Sequence, residues 1–413
     1  MNRISEQNDR VFRAWPSAAF RAILLVASLL SISLGQEIPD GPQKLGSPNN
    51  SQNRGGQNPG STPTGSKEIA EGDVVRIETG LVWVPAIVTN QQGRPVAGLR
   101  QENFSIYEDG QKQAIANFGT MEAPFEIALL LDTSGSTRAD VDLIRQAANV
   151  FIDALRPGDR VAIVAFKDTR KGDSVLAGVD ILAQLTDDRK ALRAAIQSLG
   201  SSNGTPFYDA LGSIADEIFR EPPRDELRGR RAVVALTDGV DSTSGSDYVT
   251  VGNKLLRGGV ACYFIEVNTE DFVEDRLLKD CQDDGKLTLS TTQLERYRHI
   301  FAPGAKREDY TDFCQMGPFQ RMQISRDLYA LARREMDNLA HAGGAQNFVA
   351  ESLQDARAAF SRIAADIGMQ YSLSYYPANK NRDGKFRRIR IALQGVNGRN
   401  EIRAREGYYA PQK

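Results

Sequence analysis

Histidine is almost absent from this 413-residue chain, which has two, and cysteine is nearly as scarce at three. Two histidines, His299 and His341, argue against a multi-histidine zinc or haem site. Three cysteines cannot make a disulfide-dense scaffold. An excess of charge of either sign is also missing: 51 Lys plus Arg stand against 53 Asp plus Glu, a formal net charge of -2. The strong basic field of many nucleic-acid binders is therefore lacking, and no nucleic acid is expected as partner. No phosphate loop of the G-x-x-x-x-G-K-S type occurs, and neither histidine lies in a recognisable catalytic motif. What is present in ordinary amount is apolar side chain, 41% of residues, and the length of 413 residues allows two to three domains with a sizeable core.

Ala22 to Leu34 reads AILLVASLLSISL, thirteen residues without charge, preceded by Arg13 and Arg21 and closing in the small-x-small run Ser33-Leu34-Gly35 before Gln36. That is the pattern of a secretory signal. As a helix the run rises about 20 Å, short of the ~30 Å hydrocarbon core of a bilayer. Residues 1–35 are accordingly read as a signal peptide or signal anchor, and a membrane tether is expected only through this apolar segment. No Cys follows the run, so a lipoprotein anchor is not expected. Residues 36–68 are rich in Gly, Pro, Ser, Asn and Gln with almost no large apolar side chain. They read as a disordered linker, unable to bury enough surface to offset their ordering entropy. The expected location is secreted or cell envelope, periplasm or outer surface, after export.

Residues 69–120 carry strand and turn patterns, VVRIETGLVWVPAIVTN and then NFSIYEDGQK with Asp109-Gly110 as a hairpin turn. From 121 to 368 strands alternate with amphipathic helices, which predicts an α/β layer with a doubly wound, mostly parallel sheet flanked by helices. FEIALLL (125–131), VAIVAF (161–166), AVVALT (232–237), ACYFIEV (261–267) and QNFV (346–349) are the strands. Helices are predicted over 139–155, around 188–198 and 206–219, and over 248–257, 327–341 and 352–367, with Gly343-Gly344 as a helix stop. Leu143, Ala147, Phe151 and Leu155 mark the apolar face of the first; Leu328, Leu331, Ala332 and Leu339, then Leu353, Ala356, Phe360, Ile363 and Ile367, mark those of the last two. A polar stretch, 269–325, interrupts the alternation and reads as an insertion with some order of its own. It holds Cys281 and Cys314, expected to form a disulfide given the apparent signal, while Cys262 in an apolar strand is expected to be a buried free thiol. Residues 369–413 return to strands, expected to pair with 69–120 in a small β-sandwich module built by both flanks.

At the C-terminal end of the first core strand stands Asp132-Thr133-Ser134-Gly135-Ser136. Carboxyl ends of parallel strands are where open α/β sheets place ligands. Thr205, in Asn203-Gly204-Thr205, and Asp238, after AVVALT, fall at corresponding places. Asp132, Ser134, Ser136, Thr205 and Asp238 can therefore meet above the sheet, and such hard oxygen donors favour Mg²⁺ or Mn²⁺. A phosphotransferase of the haloacid dehalogenase type also opens with Asp after its first strand, but needs a second Asp where this chain has Ser134.

The segments LLLDTSGST, NGTPFYDAL and VVALTDG resemble the metal-ion-dependent adhesion site of the von Willebrand factor type A domain, a resemblance that covers roughly 125–368. The resemblance implies Ser134, Ser136 and Thr205 as metal ligands, with Asp132 and Asp238 acting directly or through water. It also implies a binding rather than catalytic protein, whose cation takes an acidic side chain from a protein partner. With VWVPAIVTNQQGRPVAGLRQENFSIYEDG before the domain and QYSLSYYP, GKFRRIRI and EGYYAP after it, the chain is similar to secreted bacterial proteins carrying such a domain, apart from its insertion. The leading expectation is an exported binding protein of the adhesion type. The rivals are an envelope scaffold with a non-essential metal site and a cytoplasmic subunit serving a chaperone ATPase.

Other polar residues have plainer readings. Asp209 and Asp241 read as supporting or capping groups and His341 as a helix-end surface residue. His299, in LERYRHI, belongs to a solvated face. Lys385, Arg387, Arg388 and Arg390 read as a solvated or edge-protecting cluster on a strand.

Overall fold

The computed structural model of the chain describes residues 80–120, 124–135, 141–171, 174–221, 227–277 and 289–412. The expectations for 1–35 and 36–68, and for the part of 69–120 before residue 80, lie outside the described residues. Strand β1 (Val82–Thr89) comes first, then β2 (Phe104–Glu108), β3 (Gln111–Gln113) and β4 (Ile115–Thr120). The hairpin joining β2 and β3 turns at Asp109 and Gly110, both at positive φ (46° and 84°), as a two-residue turn of this kind requires.

The α/β part begins with β5 (Glu126–Leu131), buried along its whole length as a strand covered on both faces should be. Helix α1 (Val141–Ala154) follows, then β6 (Arg160–Lys171), β7 (Ser174–Thr186), α2 (Arg189–Gln197) and α3 (Phe207–Ser213), which runs on as a π turn to Ile218. Next come β8 (Arg231–Thr237), α4 (Tyr248–Arg257), β9 (Val260–Val267), α5 (Glu270–Leu277), α6 (Thr291–Phe301), α7 (Pro318–Gly343), β10 (Asn347–Ala350) and α8 (Leu353–Gly368). The six strands run in the order β10-β9-β8-β5-β6-β7, parallel except for the edge strand β7. Helices α1, α2 and α8 cover one face of this doubly wound sheet, and α3, α4 and α7 the other.

The expected apolar faces of α7 and α8 are buried at every position named for them. In α1 the buried face is centred on Ile144, Ala147, Ala148, Phe151 and Ile152, leaving Leu143 and Leu155 half-buried at its border. Gly344 ends α7 in the left-handed region (φ 78°), so its stop is a glycine cap.

Strand β7 has no counterpart in the sequence reading. Gly178 and Asp180 interrupt its apolar run, and Val175 and Leu176 are exposed, because only one long side of this edge strand meets a neighbour. The stretch 269–325 is ordered where it is described: α5, α6 and the first turns of α7 lie within it, so α7 starts at Pro318 rather than near 327. These elements share a small core of Leu277, Leu289, Leu294, Phe313, Met316, Ile324 and Leu328. Cys314 is disulfide-bonded; Cys281 lies outside the described residues. Cys262 is free and buried, and burial pushes its thiol up to about 12. Iodoacetamide at pH 8 should therefore leave Cys262 unmodified in the native chain and alkylate it once the chain is unfolded; rapid native labelling by mass spectrometry would contradict this.

Strands β11 (Tyr371–Tyr375), β12 (Phe386–Leu393), β13 (Glu401–Ala404) and β14 (Gly407–Tyr409) complete the chain. Both flanks interleave: one sheet runs β13-β1-β11-β4 and the other β14-β12-β2-β3, all pairs antiparallel. Val84, Val88, Phe104, Ile106, Leu373 and Ile391 fill the space between them. The basic cluster needs correction here. Strand β12 lies inside its sheet, between β14 and β2, and protects no edge. Arg388 and Arg390 face solvent, but Arg387 shares the parity of Ile389 and Ile391, so the pleat turns it inward beside Glu108. Among the described residues no helix is long and apolar enough to cross a membrane.

Candidate metal centre

Three loops at the carboxyl ends of the strands meet over β5 and β8. The first leaves β5 as Asp132-Thr133-Ser134. Asp132 is fully buried: one carboxylate oxygen accepts from the Ser134 amide (2.9 Å), the other from the Thr237 hydroxyl (2.6 Å). The carboxylate thus fixes the Ser134 backbone and ties β5 to the end of β8.

The second loop carries Thr205. Its anchor is Asp168 on β6, which accepts from the Asn203 amide (2.8 Å), the Asn203 side chain (2.6 Å) and the Ser202 hydroxyl (3.2 Å). The Ser202 amide donates to the Thr133 carbonyl (2.9 Å), joining the two loops. Gly204 is required by space: a Cβ there would come within 2.7 Å of the Thr243 methyl and 3.0 Å of Ala177.

The third loop starts at Asp238. One of its oxygens accepts from the Val240 amide (3.1 Å) and the other from the Thr269 hydroxyl (2.6 Å). Thr269 in turn lies 2.7 Å from the Tyr329 hydroxyl on α7. With the Thr269 proton directed to Asp238, the Tyr329 hydroxyl donates to Thr269. Burial and then Asp238 raise the Tyr329 pKa well above its ordinary value, which keeps that proton in place. The Thr205 amide donates to the Ser242 hydroxyl (2.8 Å) and the Ser242 amide to the Thr205 carbonyl (3.0 Å), so the second and third loops are joined as well.

Ser134, Thr205 and Asp238 thereby line one cavity of about 230 Å³. Asp132 is buried beside them, and Ser136 lies outside the described residues. The electrostatics suit a cation: burial, and then repulsion from Asp238, push Asp132 up to about 7. Among the described residues no Lys, Arg or His lines the cavity. Nor do they hold a cluster of three or more His, Cys, Asp or Glu placed for a metal; the donors here are two carboxylates and neutral hydroxyls. That set of hard oxygens fits Mg²⁺ or Mn²⁺.

Asp241 and Asp209 have structural duties. Asp241 accepts from the Tyr208 amide (3.2 Å) and from the amide and hydroxyl of Ser244; Asp209 accepts from the Gly245 and Ser246 amides. The exposed His341 takes no part.

Residues 126–295 match the family model of the von Willebrand factor type A domain. This stretch is a von Willebrand factor type A domain. None of the curated proteins compared matches the chain. Among solved structures, proximal thread matrix protein 1 from the mussel byssus is 12% identical with a TM-score of 0.36, over 60% of this chain and 49% of its own. A von Willebrand factor type A protein from Catenulispora acidiphila is 13% identical with a TM-score of 0.38, over 81% and 74%. BatB from Bacteroides thetaiotaomicron is 14% identical with a TM-score of 0.32, over 59% and 98%. The chain spans about half the length of the mussel protein. A type A domain implies a protein-interaction or adhesion role.

Thr269 and Tyr329 were not singled out by sequence, although Thr269 lies just past the end of β9, where ligand-facing groups of such sheets stand. Their contacts bear on any cation held at Asp238. A hydroxyl that fixes the rotamer of a carboxylate ligand is worth about 10- to 100-fold in metal affinity when removed. Thr269→Val should weaken Mg²⁺ binding by that factor, and Tyr329→Phe by less; calorimetry giving wild-type affinity for Thr269→Val would contradict the assignment.

Proposed function

We propose that the type A domain of this chain captures an acidic group of a protein partner through a divalent cation, Mg²⁺ or Mn²⁺, and that the chain does so in the cell envelope or outside it after export through its N-terminal segment. The observation that carries the reading is that Ser134, Thr205 and Asp238 line one cavity with the Asp132 carboxylate buried beside them. Ser136, two residues beyond Ser134, completes the expected donor set.

Each residue has its task. Ser134, Ser136 and Thr205 offer neutral oxygens; Asp238 supplies charge, held by Val240 and Thr269; Asp132 holds the Ser134 loop and balances charge from below. When bound, a divalent cation supplies an electrophilic point at which a partner's carboxylate completes the coordination. Neutral hydroxyls leave more of its charge uncompensated than carboxylates would. A partner carboxylate approaching without a cation meets Asp238 and no basic side chain among those lining the cavity, so capture depends on the metal.

Two measurements test the proposal: Mg²⁺ titration by calorimetry, and crosslinking from native envelopes with Mg²⁺ or with EDTA. Metal-dependent capture is expected. Equal capture in EDTA would favour an assembly scaffold, and retention of the chain in the cytoplasm would remove the envelope reading.

A further inference from the structure

The cavity at the candidate metal centre has a second wall made by residues the metal reading does not use. Val240, Val273, Leu277, Leu289 and Leu328 face the same 230 Å³ space as Ser134, Thr205 and Asp238. Apart from Val240, these come from α5, the residues before α6, and α7, mostly from the stretch interrupting the α/β alternation. They belong to or pack against its small core, so the wall is backed by buried side chains.

The wall is also fastened to the domain. The Ser290 hydroxyl, at the N-terminus of α6, donates to the Ser242 carbonyl in the third loop. Arg296 on α6 donates to the Tyr208 hydroxyl on α3 (2.7 Å) and pairs with Glu335 on α7, to which Tyr208 also donates. These contacts pin the apolar wall beside the polar one.

The chemistry of an occupant follows from the two walls together. A purely polar ligand would leave the leucine side unused. A purely apolar one would offer no carboxylate to a cation at the proposed centre. The volume lies below the ~300–1,000 Å³ usual for pockets that enclose whole small molecules, which suits a side chain delivered by a polypeptide.

We infer that the partner presents its acidic residue directly beside an aliphatic one, so that the carboxylate meets the metal centre while the aliphatic side chain enters against Val273, Leu277, Leu289 and Leu328. This inference rests on the metal reading of the site. It assigns ligand selectivity to the insertion and leaves metal binding to the loops of the sheet.

The test uses the full chain with saturating Mg²⁺ and fluorescein-labelled tetrapeptides, Gly-Asp-Leu-Gly and Gly-Asp-Gly-Gly, followed by polarisation, with Mg²⁺ affinity measured separately by calorimetry. The leucine peptide should bind at least about tenfold more tightly, in line with the discrimination an apolar pocket achieves. Val273→Thr, close in shape and only half-buried, should reduce that preference severalfold while Mg²⁺ affinity stays unchanged. Equal binding of the two peptides, or binding of neither, with Mg²⁺ seated would overturn the inference and leave the metal reading standing. Binding of free 4-methylpentanoate as tightly as the leucine peptide would overturn the polypeptide occupant. Failure to bind Mg²⁺ at all would instead sink the metal reading beneath it.

Discussion

Asp238→Ala should abolish Mg²⁺ binding, and with it the metal's contribution to stability. A ligand that binds only the folded state adds RT ln(1 + [L]/Kd), so Mg²⁺ at about 100 times Kd should stabilise the wild-type chain by roughly 2.7 kcal/mol and the variant not at all. Asp132→Asn gives a sharper contrast. In the metal-free chain Asp132 is fully buried and is pushed up to about 7 by burial and by Asp238, so its charge destabilises the site that holds it. Asparagine keeps the shape, an oxygen for the Ser134 amide and an N–H that the Thr237 hydroxyl can accept, while removing that charge. The metal-free variant should therefore be as stable as the metal-free wild type or more so, yet gain little from Mg²⁺. Thermal unfolding of both chains, with Mg²⁺ and with EDTA, separates the two effects. An equal Mg²⁺ shift in wild type and Asp238→Ala would remove the metal assignment, and a large loss in EDTA for Asp132→Asn would mean that the Asp132 charge holds the fold rather than a cation.

The parts of this molecule legible in the sequence are those where one physical constraint dominates. A strand covered on both faces must be apolar throughout, so β5 and β8 stand out. The long helices α7 and α8 bury one stripe each and show it at helical spacing. Asp132, Ser134, Thr205 and Asp238 could be placed because strand ends of a parallel sheet converge on one side. Where two constraints compete, the pattern fades. Strand β7 is an edge strand whose side chains are half-exposed, so its apolar residues need no strict period. Arg387 follows the pleat inward against its charge, because Glu108 on β2 waits there, and pairing between residues so distant in sequence leaves no local trace. The hydrogen-bond chain from Tyr329 through Thr269 to Asp238 is invisible for the same reason: it joins α7, the end of β9 and the end of β8 through the fold alone.

The inward turn of Arg387 makes its replacement costly to the β-sandwich. Glu108 and Arg387 are both almost wholly buried, with side-chain exposures of 2% and 4%, and their charged atoms lie 3.5 Å apart. Glu108 also accepts from the Tyr375 hydroxyl (2.6 Å) and the Tyr408 hydroxyl (3.0 Å), which brings β2, β11, β12 and β14 to one buried carboxylate. Burial and then Glu108 raise the pKa of both tyrosines, Tyr408 to about 12 and Tyr375 further, so both stay protonated donors at neutral pH. Removing one partner of a buried pair leaves the other charge uncompensated, at a typical cost of 3–5 kcal/mol. Arg387→Met, which keeps most of the apolar stem, should lose about that much. Replacing both partners removes the stranded charge, so Glu108→Leu with Arg387→Met should recover part of the loss, short of full recovery because Tyr375 and Tyr408 then lose their acceptor and the Asn379 and Asn381 carbonyls their guanidinium donor. Denaturant unfolding of the two single variants and the double variant measures the coupling directly. Additive losses, with the double variant as unstable as the sum of the singles, would show that Glu108 and Arg387 act separately and that the tyrosines alone satisfy the carboxylate.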